Sequence, residues 1–192
     1  NCVVGRQLYQ GPSAPHTAGD LLAEMDHYGI AEALVVDSLS RLNHPFDGNE
    51  RVLSACAQSP RLHPAWSALP AAGVDEMSSP EDMLRRMREE RVGALFLYPR
   101  QYRFSLADWC VDPMLEPLAA AGVPVFINPN DIGSGIHPQW DETDWEAVVA
   151  LCRRWPSLPV IVSEFRIRWI MRTIHRAFDA CPNLGIELSL PL

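Results

Sequence analysis

Short apolar runs punctuate the chain at a steady beat: ALVVD (33–37), PAWSAL (64–69), GALFL (93–97), PVFIN (124–128), PVIVS (159–163) and GIELS (185–189). Their starts lie about 25–35 residues apart, the length of one strand, one helix and two loops. The runs are apolar at successive positions rather than alternate ones, as a parallel strand covered on both faces must be. NCVVG, at the start of the chain, reads as the tail of a further strand and brings the count to seven.

Between the runs lie segments of helical period with clear start and stop signals. Thr17 to Asp20, Ser79 to Asp82 and Thr143 to Glu146 each set a hydroxyl cap three residues ahead of a carboxylate. Pro80 and Pro113 follow Ser79 and Asp112, which predicts first-turn positions where a missing N–H costs nothing. Gly29 and Gly122 stand where helices should end, supplying the left-handed residue of a C-terminal cap. Leu21, Leu22 and Met25, like Met83, Leu84 and Met87, fall at core spacing. In RIRWIMRTIHR, Arg168, Arg172 and Arg176 form one solvated stripe, and Ile167, Ile170, Met171, Ile174 and Phe178 lie opposite.

Regular strand–helix alternation implies a parallel α/β fold, shared by barrels and doubly wound open sheets. No G-x-G-x-x-G or phosphate loop follows any strand, which speaks against a nucleotide-binding open sheet. The even beat favours a (β/α)8 TIM-type barrel. A closed barrel of that kind typically takes about 250 residues. At 192 residues this chain is expected to be a single barrel domain over 1–192, lacking its last helix–strand–helix. A start at Asn rather than Met fits a piece of a longer protein.

Composition narrows the chemistry. With 47% hydrophobic and 21% charged residues the chain reads as soluble and globular, and a net charge of −8 argues against a nucleic-acid partner. All 16 basic residues are Arg. The absence of Lys removes a Schiff-base lysine, a phosphate-loop lysine, a pyridoxal anchor and a carbamylated-lysine metal bridge. The five cysteines (Cys2, Cys56, Cys110, Cys152, Cys181) are scattered without a C-x-x-C pair. They read as buried thiols of a reduced, cytoplasmic protein rather than a disulfide or zinc framework. No apolar run reaches the length of about 18 residues that a membrane span needs.

Several phrases, in order, resemble the amidohydrolase-related branch that includes aminocarboxymuconate-semialdehyde decarboxylase-like proteins. LLAEMDHYGIAEALVVDS (21–38) is similar to that family's first helix and second strand, GNERVLSACAQSPRLHPAWSALP (48–70) to its second helix and third strand, and VGALFLYP (92–99) to its fourth strand. AAAGVPVFIN (119–128), LCRRWPSLPVIVSEF (151–165) and FDACPNLGIELS (178–189) resemble its fifth, sixth and seventh strands. The resemblance implies a divalent metal, usually zinc, held by H-x-H on strand one, a His ending strand five, an Asp ending strand eight, and a further His ending strand six. Carried over by residue, H-x-H falls on Asn1 and Val3 and the fifth-strand His on Asn128. The sixth-strand His falls on Glu164, or on Ser163 if the alignment slips one place; the eighth-strand Asp lies beyond Leu192. Val3 has no ligand atom and an amide is a weak ligand for zinc, so no metal residue is assigned.

The resemblance implies a hydrolase or decarboxylase acting on a small carboxylate or lactone at the carboxyl ends of the strands. That mouth would be lined by Asn1, Asp37, Tyr98, Arg100, Asn128, Glu164, Arg166 and Glu187. Two roles are open to Glu164: a general base, or the structural partner of Arg166. Arg100 or Arg166 would bind an anion, with Tyr98 and Arg103 beside Arg100. Asn128 either binds ligand or caps a loop. Asp37 reads better as a loop cap than as half of a carboxylate pair. His16, His44 and His137 fall on loops of the same face, whereas His27, His63 and His175 read as structural. The Gly- and Pro-rich loop 129–139 would act as a lid or rim. The rival reading is a non-catalytic barrel that binds a small ligand or a protein partner. Family proteins pair, and the apolar surface of an incomplete barrel needs covering, which implies a homo-oligomer.

Overall fold

The computed structural model describes residues 1–6, 14–73, 78–128, 142–163 and 171–187. The elements run β1 (Cys2–Val4), α1 (Ala18–Tyr28), β2 (Ala33–Asp37), α2 (Leu39–Leu42), α3 (Pro45–Cys56), β3 (Leu62–Ser67), α4 (Pro80–Glu89) and β4 (Ala94–Leu97). They continue with α5 (Pro99–Tyr102), α6 (Asp108–Ala121), β5 (Val125–Ile127), α7 (Glu142–Arg154), β6 (Val160–Val162), α8 (Met171–Ala180) and β7 (Leu184–Ile186). The chain divides into one unit of Asn1–Ala68 with Arg85–Leu95, and a second of Leu69–Leu84 with Phe96–Leu192.

In the first unit β1, β2 and β3 pair in chain order and in parallel, Val4 level with Asp37 and Val35 level with Pro64. In the second, β5, β6 and β7 do the same. A doubly wound sheet reverses its strand order at a switch point. Among the described residues the seven strands show no such reversal, so the α/β fold is that of a TIM-type barrel.

Local signals account for most helix ends. Thr17 and Asp20 form the reciprocal capping box of α1, and the Thr17 hydroxyl with nearby backbone N–H groups holds the Asp20 carboxyl below the usual carboxylate range. The Ser79 hydroxyl accepts from the Asp82 N–H at 3.1 Å, and Pro80 is the first residue of α4. Gly29 (φ 69°) and Gly122 (φ 66°) close α1 and α6 in the left-handed region. Two expectations fail. Pro113 lies inside α6, which starts at Asp108 after Ala107 with no side-chain cap; the bond Pro113 cannot make is one in the solvent-facing first turns. Thr143 falls inside α7, which already begins at Glu142.

Asn49 and Asn183 perform long-range work that no local pattern signals. The Asn49 amide pairs with both backbone groups of Ser67 at the end of β3, donating to its carbonyl at 2.9 Å and accepting from its N–H at 2.8 Å. In the second unit the Asn183 amide donates to the carbonyls of Cys152, Trp155 and Leu158 at 3.2, 3.0 and 2.8 Å, closing the end of α7. Arg154 grips both oxygens of Asp112 and the Leu106 carbonyl. Among the described residues no helix is long and apolar enough to cross a membrane.

Candidate functional site

The carboxyl ends of the strands carry the polar residues. In the second unit Val125, Phe126 and Ile127 pair with Val160, Ile161 and Val162, which pair in turn with Leu184, Gly185 and Ile186. The ladder runs one residue past each strand. The Asn128 N–H donates to the Leu97 carbonyl at 2.9 Å, that of Ser163 to Ile127 at 3.0 Å and that of Glu187 to Val162 at 2.9 Å. In parallel pairing each such bond sets the donor level with the residue after the acceptor. Tyr98, Asn128, Ser163 and Glu187 therefore stand side by side across four strand ends, roughly 4.8 Å from one strand to the next.

Side chains two residues apart share a face of a strand, so this row lies above Phe96, Phe126, Ile161 and Gly185. Phe96 and Phe126 stack with centroids 4.6 Å apart, and Phe96 and Tyr98 lie 6.1 Å apart. On the opposite face Leu97, Val125, Ile127, Val160 and Val162 are fully buried, whereas Phe126, Ile161 and Gly185 are half-buried. Tyr98, Asn128 and Ser163 are buried and Glu187 half-buried. Among the described residues the Ser163 hydroxyl has no hydrogen-bond partner, and Ser163 is only 1% exposed.

Three residues expected at the mouth, Tyr98, Asn128 and Glu187, thus come together in one row. Arg100 follows on α5, a short turn closed by Arg103 in the left-handed region at φ 54°. Glu164, Arg166, His137 and the loop 129–139 lie outside the described residues. Ser163 is the alternative position for the sixth-strand ligand, and a buried hydroxyl at a strand end has no signature in sequence.

In the first unit Asp37 is 4% exposed at the end of β2. One oxygen accepts from the Leu39 N–H at 2.9 Å, which starts α2, and the other faces Arg51 Nε at 3.4 Å. The loop-capping role is realised. Val3 pairs with Val36 and Val4 with Asp37, so Asn1 shares its face with Val3 and lies on the opposite side from Asp37. Gly5 follows β1 at φ +91°, and a Cβ there would sit 2.6 Å from the Ser38 hydroxyl. His44 caps α3, its Nδ1 accepting from the Phe46 N–H at 3.2 Å. His63 pairs with Glu32 at 2.8 Å inside β3, away from the strand's carboxyl end.

No family model matches the chain, and no curated relative matches it. Solved structures do. An uncharacterised TIM-barrel protein from Bordetella bronchiseptica is 19% identical with a TM-score of 0.65, over 89% of this chain and 59% of that one. An amidohydrolase II structure is 14% identical with a TM-score of 0.64, over 96% of this chain and 73% of that one. A 5-carboxyvanillate decarboxylase from Sphingomonas paucimobilis is 16% identical with a TM-score of 0.58, over 92% of this chain and 62% of that one. The chain spans about three fifths of the first and last of these. The positions that the family resemblance gives to a metal hold Asn1, Val3, Asn128 and either Ser163 or Glu164. Neutral amides and a hydroxyl are poor zinc donors, whereas a carboxylate at Glu164 is an ordinary one. Among the described residues no three His, Cys, Asp or Glu side chains gather. At these identities the likeness establishes the fold, and the fold is that of the TIM barrels.

Proposed function

We propose that the chain is an amidohydrolase-related barrel protein, a hydrolase or decarboxylase acting on a small carboxylate or lactone at a site whose metal ligands are gone. The observation that carries this reading is the row of Tyr98, Asn128, Ser163 and Glu187, level across four strand ends where TIM-barrel enzymes work. The amidohydrolase and decarboxylase named among the similar structures support the reaction class by fold analogy. Glu164, next in the chain after Ser163, is assigned as general base, with Arg100 and Arg166 as the groups for an anionic substituent. The reaction then proceeds without a resident zinc, or with a metal held by another ligand set. The protein is assigned to the cytoplasm and to a homo-oligomer.

Metal analysis of the purified full-length protein, with turnover of a panel of small carboxylates and lactones, tests this reading. Turnover is expected without stoichiometric zinc and is lost in Glu164→Gln. Stoichiometric zinc or manganese that disappears in Glu164→Gln or Asn128→Ala would overturn the metal-poor assignment. Saturable binding without turnover of any compound would shift the assignment to the non-catalytic barrel.

A further inference from the structure

We propose that Cys152 and Cys181 are a latent disulfide, which a peroxide closes to clamp the carboxyl-terminal end of α7 to the turn that leads into β7. The inference stands apart from the proposed function and concerns a different part of the second unit. The two thiols meet across that boundary. The Cys152 thiol is hydrogen-bonded with the Cys181 sulfur, and the Cys181 thiol donates to the Val149 carbonyl at 3.8 Å, three residues before Cys152 on α7. Neighbouring bonds hold the turn against the helix. Asn183, two residues past Cys181, donates to the Cys152 carbonyl at 3.2 Å, and the Leu184 N–H donates to the Cys181 carbonyl at 3.0 Å. The backbone on either sulfur's side is thus fixed while the sulfurs face each other.

Burial sets the threshold of the device. Cys152 and Cys181 are 1% and 2% exposed, whereas Cys2 and Cys110 are half-buried. The thiolate is the form that attacks an oxidant, and burial, with the Cys181 sulfur adding to it, keeps the Cys152 proton in place. A brief pulse of peroxide therefore meets Cys2 and Cys110 first. The buried pair reacts under sustained oxidation, as α8 opens locally.

The chemistry balances in two steps. One sulfur attacks a peroxide oxygen, the O–O bond breaks, and the sulfur becomes a sulfenic acid as the first water leaves with the thiol proton. The second sulfur attacks the sulfenic sulfur, the S–S bond forms, and the S–O bond breaks with loss of the second water. The two sulfurs lose two electrons and the peroxide gains them. Contact between the thiols favours the second step over further oxidation of the first sulfur. The bond closes a loop of about 30 residues around β6 and α8, so it restricts the unfolded chain and restrains α8 in the folded one.

The test treats the reduced full-length protein with hydrogen peroxide at a low and a high dose, alkylates the remaining thiols, and maps peptides by mass spectrometry without reduction. At the high dose the peptides carrying Cys152 and Cys181 should appear joined, and dithiothreitol should separate them. The melting temperature should rise by about 5–10 °C relative to Cys152→Ser treated alike, and return on reduction. Hydrogen exchange in α8 should slow on oxidation of the wild type and not of Cys152→Ser or Cys181→Ser. Recovery of Cys152 and Cys181 as alkylated thiols or as sulfinic acids, at a dose that fully oxidises Cys2 and Cys110, overturns the inference. So does a bond from either to any other cysteine. A joined peptide with no rise in melting temperature shows a link made in unfolded molecules, and overturns the clamp. The peptide map needs no variant, so it decides even where a serine variant fails to fold.

Discussion

Replacing Asn49 with Ala should be among the most damaging single changes in the first unit. The Asn49 amide acts as a missing peptide group, satisfying the N–H and the carbonyl of Ser67 at once. Ser67 is 0% exposed, so water cannot take over either bond. Each hydrogen bond contributes about 1 kcal/mol net, but a buried group left without a partner costs about 1–3 kcal/mol, and two are orphaned together. The expected loss is about 3–4 kcal/mol, a large share of the roughly 5–15 kcal/mol that holds a domain folded. In a chain of this length that lowers the melting temperature by about 6–15 °C. Urea unfolding followed by circular dichroism measures it directly. Asn49→Asp sharpens the test: the carboxylate still accepts from the Ser67 N–H but faces the Ser67 carbonyl without a donor. It should be as unstable as Ala near neutral pH and recover partly at acidic pH, where protonation restores a donor. A loss below about 1 kcal/mol for Asn49→Ala, within the range of ordinary surface changes, would refute the reasoning.

Further outcomes follow from other contacts. Gly122→Ala should cost about 1 kcal/mol, the price of a left-handed alanine, because nothing lies within 4 Å of the added methyl. Gly5→Ala should cost clearly more, since the methyl also meets the Ser38 hydroxyl at 2.6 Å; equal melting temperatures for the two would contradict this. Arg154→Ala should destabilise by about 2 kcal/mol, as it leaves the half-buried Asp112 carboxylate and the Leu106 carbonyl without their shared donor, and thermal unfolding reads it. Burial pushes the Cys152 thiol up to about 12, with the Cys181 thiol adding to it, and the Cys56 thiol up to about 11. The folded state therefore holds these protons more tightly than the unfolded chain, whose thiols ionise near about 8.5. Stability should fall as pH rises from that value toward 11 and 12. In thiol-labelling kinetics on the native protein, half-buried Cys2 and Cys110 should react before Cys56 and Cys152; the reverse order would overturn the assignment.

What the chain disclosed in advance was local or periodic. Thr17, Ser79, Gly29 and Gly122 act within a turn of their own position, so their roles were legible. The strand beat was equally legible because parallel strands are apolar on both faces, and strand ends led to Tyr98, Asn128 and Glu187. Strand limits were not: β3 runs Leu62–Ser67, two residues earlier than the apolar run suggests, because Pro64 keeps its carbonyl in the ladder and accepts from Gly93. Pro113 lies inside α6 rather than in its first turn because the helix starts at a residue with no capping side chain. Asn49 and Asn183 were invisible for a common reason. What matters about each is a partner in a strand or helix far along the chain.

The row of strand-end residues has a consequence for redesign. Its spacing is set by main-chain bonds alone, from Asn128 to Leu97, Ser163 to Ile127 and Glu187 to Val162, and none of these depends on which side chain is mounted there. The scaffold is a rack with fixed pegs. Exchanging the groups hung on it changes the chemistry presented and not the pairing, so imidazoles grafted at 128 and 163 would be mounted on adjacent strands.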